Sequence, residues 1–240
     1  MLSCAIISDV HANLEALRSV LTSIDKEKVD SIFFLGDSIG YGPDPAECLD
    51  ILRQRADVIL AGNHDWAVAG LTDVAYFNPY ARAAIEWTRD RLSSEQKEIL
   101  RLLPLTAARD CMFLVHGTPY EPDQWHYLTH KEDAEMNFRF FEEQLCFVGH
   151  SHIPFIAEKT QTGRIRSHSR TAEIKRQHRY MVNVGSTGQP RDGNPEAAYA
   201  ILRDNSVVIK RVSYDIVRTQ TKMRKAGLPE YLAERLLLGR

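Results

Sequence analysis

Cys4-Ala5-Ile6-Ile7-Ser8-Asp9-Val10-His11 is a short apolar run that ends on a carboxylate and an imidazole two positions apart. Cys4 to Ile7 reads as a buried strand, because it is apolar at every position rather than at alternate ones. Immediately after it, Leu14, Leu17, Val20, Leu21 and Ile24 recur at three and four spacing, which predicts a helix with one apolar face. Ser31 to Leu35 is the next strand and runs into Gly36-Asp37. A helix opening near Pro45, a residue suited to a first helical turn, leads to a third strand at Val58 to Ala61 and then to Gly62-Asn63-His64-Asp65. The order βαβαβ predicts an α/β fold with a parallel core.

The order loosens beyond residue 70. Asn78-Pro79 reads as an N-cap followed by a first-turn proline, and Ser93-Ser94-Glu95-Gln96 resembles a capping box. Together they predict a cap-like helical insertion over about 71–104, lying along one edge of the site. Strands follow at Cys111 to Val115 and Leu145 to Val148, with a polar helix near Glu132 to Glu143 between them. Further strands are read at Phe155 to Ala157, Tyr180 to Val184, Ala197 to Leu202 and Val207 to Val212. A helical segment over about 214–240 closes the chain, with Pro229 opening a run that sets Leu232, Leu236 and Leu237 on one side. There is no internal repeat.

At 240 residues and 44% hydrophobic, the chain can bury a large core as one domain spanning 1–240. Thirty Lys and Arg against 32 Asp and Glu leave a formal charge of −2, so no global positive field draws the molecule to nucleic acid or an anionic membrane. The Lys159 to Arg179 segment is locally basic, with Glu173 its only acid, and reads as a solvated hairpin in preference to a phosphate-backbone stripe. Cys4, Cys48, Cys111 and Cys146 show no C-x-x-C spacing. The start lacks a positively charged leader pattern, and no stretch approaches the ~20 apolar residues of a membrane span. These features lead us to expect a cytoplasmic protein without a membrane partner.

Chemistry concentrates at strand ends. Asp9-x-His11, Gly36-Asp37, Gly62-Asn63-His64-Asp65, His116-Gly117 and Gly149-His150-Ser151-His152 each follow a predicted strand. In open α/β sheets the crevice outside the carboxyl ends of strands is where ligands collect. Carboxylate, imidazole and amide oxygen are donors that divalent cations accept, and no thiolate joins them to make a closed zinc site. Two cations about 3.5–4 Å apart need a shared ligand, and Asp37 is central enough to bridge. The glycines before Asp37, Asn63 and His150 would let the chain turn sharply. Taken alone, Asp9 could instead cap the helix beginning near Asn13, and His11 could be a loop histidine. His126, His130, His168 and His178 fall outside the motifs and read as surface groups, although Gln124-Trp125-His126-Tyr127 could wall a nucleobase site. Tyr41 and Pro43 shape a loop at the cleft edge, where Tyr41 is a candidate substrate contact. Arg191, in the Gly185 to Arg191 turn, is a candidate phosphate contact by its bidentate guanidinium.

From Asp9 to about Asp192 these motifs, in this order, resemble the calcineurin-like metallophosphoesterase superfamily. The resemblance implies a four-layer α/β/β/α sandwich of two mixed sheets. It also implies that Asp9, His11 and His152 hold one divalent metal ion, that Asn63, His116 and His150 hold a second, and that Asp37 bridges. His64 would act as general acid or transition-state stabiliser, with Asp65 orienting its ring. The metals would be drawn from Mn²⁺, Fe²⁺/Fe³⁺, Ni²⁺ and Zn²⁺, with Mn²⁺ favoured. They would hold a bridging hydroxide at neutral pH for in-line attack on phosphorus. The phosphoprotein phosphatase branch carries arginine after its second and third motifs, whereas Ser38-Ile39-Gly40 and Trp66-Ala67-Val68 stand here. The stretches Phe77 to Arg82, Val115 to Pro119 and Gly185 to Arg191 instead resemble small bacterial predicted phosphodiesterases, some acting on dinucleoside polyphosphates. The expected substrate is therefore small, phosphorylated and nucleotide-like, cleaved at a phosphodiester or phosphoanhydride bond. A phosphomonoesterase or protein phosphatase of the same superfamily, or an inert metal-binding scaffold, is the alternative. The sequence does not specify the oligomeric state.

Overall fold

The computed structural model describes residues 3–240; Met1 and Leu2, which begin the stretch read for a leader, lie outside it. Two six-stranded mixed sheets stack face to face with helices outside them, giving the α/β/β/α order expected. In the first sheet β1 (Cys4–Ile7) lies between β2 (Ser31–Phe34), to which it is parallel, and β11 (Ala197–Arg203), to which it is antiparallel. The two-residue β3 (Val58–Ile59) continues beyond β2, and β12 (Ser206–Val212) and β9 (Thr171–Glu173) lie beyond β11. The second sheet runs β4 (Thr106–Arg109), β5 (Met112–Val115), β6 (Leu145–Val148), β10 (Arg179–Asn183), β7 (Phe155–Lys159), β8 (Ile165–His168).

Side-chain alternation explains why the central strands are apolar throughout. In β1, Cys4 and Ile6 enter the core between the sheets, whereas Ala5 and Ile7 face the helices. β6 divides the same way, Leu145 and Phe147 inward, Cys146 and Val148 toward α6 (Lys131–Asn137). A strand covered on both sides has no polar face to show. Helix α1 (Leu14–Glu27) buries the predicted stripe Leu14, Leu17, Val20, Leu21 and Ile24, and α2 (Pro45–Arg55) begins at its proline as expected. The Asn78 side chain caps α4 (Pro79–Arg89), and Ser93 with Gln96 forms the capping box of α5 (Ser94–Arg101).

Several elements depart from expectation. The G-N-H-D run itself opens a helix, α3 (Asn63–Ala69), where only a loop was read. β4, β8 and β9 were missed because they pair at sheet edges with half-exposed residues and carry no apolar run. The polar helix ends at Asn137 rather than at Glu143. Pro229 opens α8 (Glu230–Leu238) as its N-cap, as expected, but Leu237 points to solvent while Leu232 and Leu236 are buried. The basic segment contains the turn from β7 into β8, then β8 and β9, and its Arg179 is bound to the backbone oxygens of Phe138, Phe141 and Glu143. Among the described residues no helix is long and apolar enough to cross a membrane.

Asn13, not Asp9, caps α1. Its Oδ1 accepts from the Ala16 amide at 3.2 Å and from Thr219 Oγ1 at 3.1 Å, and its Nδ2 donates to the Gly188 carbonyl at 2.8 Å. One buried amide thus joins α1, the 185–191 turn and α7 (Ile216–Lys225). Asn13→Ala is expected to lose the cap and strand a buried carbonyl, lowering stability by about 2–3 kcal/mol. A urea titration checks this as a lower midpoint at unchanged slope.

Candidate metal centre

Every motif arrives at one end of the sheet pair. Asp9 and His11 follow β1, Asp37 follows β2, Asn63 and His64 open α3, His116 follows β5, and His150 and His152 follow β6. The turns that carry them are strained. Asp9, His11, Asp37, His150 and His152 are five of the thirteen non-glycine residues with positive φ among the described residues, at 53°, 48°, 58°, 63° and 61°. Each such conformation costs an L-residue about 1–2 kcal/mol, and glycine would relieve it. Side-chain chemistry is the reason glycine is not there.

The glycines of the motifs do a different job from the one expected of them. Only Gly36, at φ +114°, needs its left-handed freedom. Gly62 and Gly149 are needed for room: a Cβ at Gly62 would lie 2.1 Å from Asp37 Oδ1, and one at Gly149 would lie 2.1 Å from Ser8 Oγ and 2.5 Å from Asp9 Oδ2. The Gly62 turn presses on the Asp37 turn within the first sheet, and the Gly149 turn presses on the Asp9 turn across the seam between the sheets.

Seven side chains meet in consequence. Asp9, His11 and His152 form one group whose ligand atoms lie within 4.8 Å of one another; Asp37, His116 and His150 form another, and His11, Asp37 and His64 a third. Asp37 Oδ2 is 3.5 Å from His11 Nε2 and 3.3 Å from His116 Nε2, so it touches both sides. Asp9 Oδ1 is 3.2 Å from His152 Nε2. The Asn63 side chain lines the same cleft, and its Oδ1 is buried without a hydrogen-bond partner.

Proton positions show what the cluster is built to accept. A carbonyl only accepts, so His11 Nδ1 must donate to Ile39 O at 3.1 Å, His116 Nδ1 to Leu35 O at 3.1 Å, and His152 Nδ1 to Gln189 O at 2.6 Å. All three Nε2 atoms then point inward. Burial drives His11 well below its usual value, and burial with the nearby Arg191 charge lowers His152. Both rings are therefore neutral, and their Nε2 lone pairs lie 3.1 Å apart with no proton between them. Only an electron-pair acceptor makes that contact favourable. Asp9 Oδ1, Asn63 Oδ1, His116 Nε2 and His150 Nδ1 are likewise buried without partners. The donor set fits divalent cations.

Burial also lowers His64 to about 4 and His150 to about 3. His116 is the exception: burial opposes its charge, but the carboxylates of Asp37 and Asp9 outweigh burial and lift it to about 9. Asp9 and Asp37 fall below the usual carboxylate range, because the histidines around them outweigh their burial.

Asp65 corrects an expectation. Its carboxylate does not reach the His64 ring; Oδ1 accepts from Ser38 Oγ at 2.6 Å and the Ser38 amide at 3.1 Å, Oδ2 from the Asp37 amide at 2.8 Å and the Gly62 amide at 3.0 Å. Burial and the neighbouring Asp37 charge push it up to about 7 against those donors. Asp65 clasps the Asp37 and Asn63 turns together. His64 is held by rings instead, with centroids 4.5 Å from Tyr41, 4.8 Å from His11 and 5.2 Å from Phe77, and its Nδ1 has no partner.

The cleft over the cluster has a volume of about 490 Å³, a small-molecule size. Tyr41 and Arg191 line it, with Arg191 Nη2 2.8 Å from Gln189 Oε1 and 3.4 Å from Tyr41 Oη. His126 does not line it; its Nε2 lies 3.1 Å from Glu121 and its ring stacks on Tyr120, while Trp125 and Tyr127 beside it do face the cleft. Sequence reasoning missed the supports of the site. Ser186 Oγ donates to Asp9 O, and the Gly188 amide does the same, so the 185–191 turn braces the Asp9 loop. Backbone carbonyls such as Leu35, Ile39 and Gln189 leave no mark in a sequence. Glu158, buried in β7, pairs with His168 at 2.7 Å and His178 at 2.6 Å, so these two histidines are not free surface groups.

Residues 2–206 match the calcineurin-like phosphoesterase superfamily domain. The chain belongs to that superfamily. A crystal structure of a metallophosphoesterase from Sphaerobacter thermophilus superposes with a TM-score of 0.88 at 42% identity, covering 100% of this chain and 99% of that one. An uncharacterized protein of Methanocaldococcus jannaschii is 39% identical over 98% of both chains. The phosphodiesterase YfcE of Escherichia coli is 24% identical over 87% of this chain and 90% of its own. This calcineurin-like phosphoesterase is thus a hydrolase of a metal-dependent family, with a clustered set of residues able to hold metal.

Metal uptake should be coupled to protons. His116, at about 9, is protonated at neutral pH and must give up that proton to become a ligand. Calorimetric titration of the metal-free chain with Mn²⁺ in buffers of different ionisation enthalpy should show about one more proton released at pH 7.5 than at pH 10, where His116 is already neutral.

Proposed function

We propose that this phosphoesterase cleaves phosphodiester or nucleotide phosphoanhydride bonds in small, nucleotide-like substrates, using two divalent cations. Asp9, His11 and His152 would hold one cation, Asn63, His116 and His150 the other, with Asp37 shared. The observation that carries this reading is the inward set of buried atoms without hydrogen-bond partners, above all the His11 and His152 Nε2 lone pairs at 3.1 Å. A cation pair there would supply Lewis-acid charge for two phosphoryl oxygens and a nucleophile at neutral pH. Carboxylate and amide oxygens among the donors favour Mn²⁺ within a set that also accepts Fe, Ni and Zn. Four free cysteines suit a reducing, cytoplasmic setting.

The chain's own groups divide the remaining work. His64 lines the cleft with a bare Nδ1, and burial, with Arg191 and the neighbouring histidines, outweighs the pull of the nearby Asp37 carboxylate and keeps its ring neutral. It therefore acts as a hydrogen-bond donor to charge developing on the phosphoryl or leaving oxygen, rather than as a store of acid. Arg191, its guanidinium steadied by Gln189 and the Tyr41 hydroxyl, adds a fork-shaped donor at the cleft wall for a phosphate oxygen. Tyr41 packs against His11 and His64 and fixes the distance between that wall and the cluster.

The test compares the wild type with Asp37→Asn and His64→Ala on diesters, dinucleoside polyphosphates and phosphopeptides, with metal content read by mass spectrometry. Asp37→Asn is expected to lose metal and all turnover. His64→Ala keeps its metal and loses about 10²–10³-fold in kcat. Equal activity in the three proteins refutes the reading.

A further inference from the structure

We propose that the cleft selects a phosphodiester with a single negative charge and a flat aromatic substituent, and that Trp125 and Tyr127 make that selection. The inference rests on the phosphoester-hydrolase reading and narrows its substrate class.

The loop from β5 to α6 is folded to present those two rings. Glu121 and Trp125 take left-handed backbone, at φ 45° and 56°, as the two caps of the short 3-10 turn Pro122–Gln124. The loop also presses on the turn that carries His116: a Cβ at Gly117 would come 3.2 Å from His126 O and 3.3 Å from Trp125 Cα. What the strained backbone achieves is aromatic placement. The Trp125 ring meets Trp66 edge-on at 5.2 Å and lies 5.9 Å from the His116 ring. The Tyr127 ring lies parallel to His150, centroids 4.2 Å apart at 14°. Tyr127 remains 56% exposed and lines the cleft, so a second ring face is open to an occupant. On the His64 side Phe77 lines the same cleft. Flat apolar surface thus flanks the donor cluster next to His64 and next to His116 and His150. An aromatic ring in a substrate would find stacking partners there, an interaction that tolerates many ring types.

Charge sets the second condition. Arg191 is the only Lys or Arg among the described residues that line the cleft, and the Asp123 carboxylate, on the loop that carries Trp125, lines it too. One guanidinium beside a cation cluster matches one phosphate. A triphosphate or longer chain would bring additional anionic groups into a cleft that also holds the Asp123 carboxylate, with no further basic side chain lining it to receive them.

The experiment uses the full chain loaded with Mn²⁺ and 4-nitrophenyl esters, so that the leaving group stays constant. In the wild type, 4-nitrophenyl phenyl phosphate should exceed methyl 4-nitrophenyl phosphate in kcat/KM by about tenfold or more. Trp125→Ala and Tyr127→Leu should each shrink that ratio, chiefly through KM for the phenyl ester. Trp125→Phe should keep most of it, which holds the test open if the alanine variant does not fold. The 4-nitrophenyl ester of thymidine 5′-monophosphate should be cleaved at least about tenfold more efficiently than that of thymidine 5′-triphosphate. A wild-type phenyl-to-methyl ratio near one, or faster cleavage of the triphosphate ester, overturns the inference and leaves phosphoester hydrolysis standing. Failure to release nitrophenol from any of the esters overturns both.

Discussion

Two neutral imidazole nitrogens 3.1 Å apart, each denied a proton by the carbonyl behind its ring, form the contact to which the rest of the fold is tuned. Left alone the pair repels, and it belongs to residues 141 positions apart. Nothing local to either segment would hold it. It persists because Ile39 and Gln189 fix the outer nitrogens, the 185–191 turn braces Asp9, and both sheets end at the same place. The favourable term that answers this repulsion is a cation, in keeping with a family whose activity depends on metal.

Strain and space are distributed along the same lines. Left-handed backbone at five candidate ligands is compensated by the buried strands they extend from, which are apolar on both faces. The Asp65 carboxyl group gathers three backbone amides and a hydroxyl from two turns, so Asp37 and Asn63 are placed relative to each other by one buried side chain. Gly62 and Gly149 leave the gaps through which these turns touch. Each device fixes backbone, and the ligand geometry follows from it.

Much of this was legible in the sequence, for identifiable reasons. Strands covered on both faces announce themselves as unbroken apolar runs, and the motifs follow those runs directly; caps at Asn78 and Ser93 are local and were read correctly. Half-exposed edge strands such as β8 and β9 gave no such signal. Helix α3 went unseen because its first turn is the motif itself. The role of Asp65 was misread because its partners are backbone amides 27 and 28 residues earlier, which no residue type encodes. Arg191 was noticed for its charge, whereas the turn that carries it proves to be a brace for Asp9.

The position of β1 has a consequence for biosynthesis. Its neighbours are β2, made almost at once, and β11, which begins at Ala197. During translation the first strand therefore waits with one edge bare until most of the polypeptide has left the ribosome. The carbonyl that sets the His152 tautomer belongs to Gln189 and emerges only shortly before that edge is closed. Completion of the candidate ligand cluster and closure of the sheet are thus nearly one event, and an ion meeting the nascent chain earlier would find a partial set of the candidate donors.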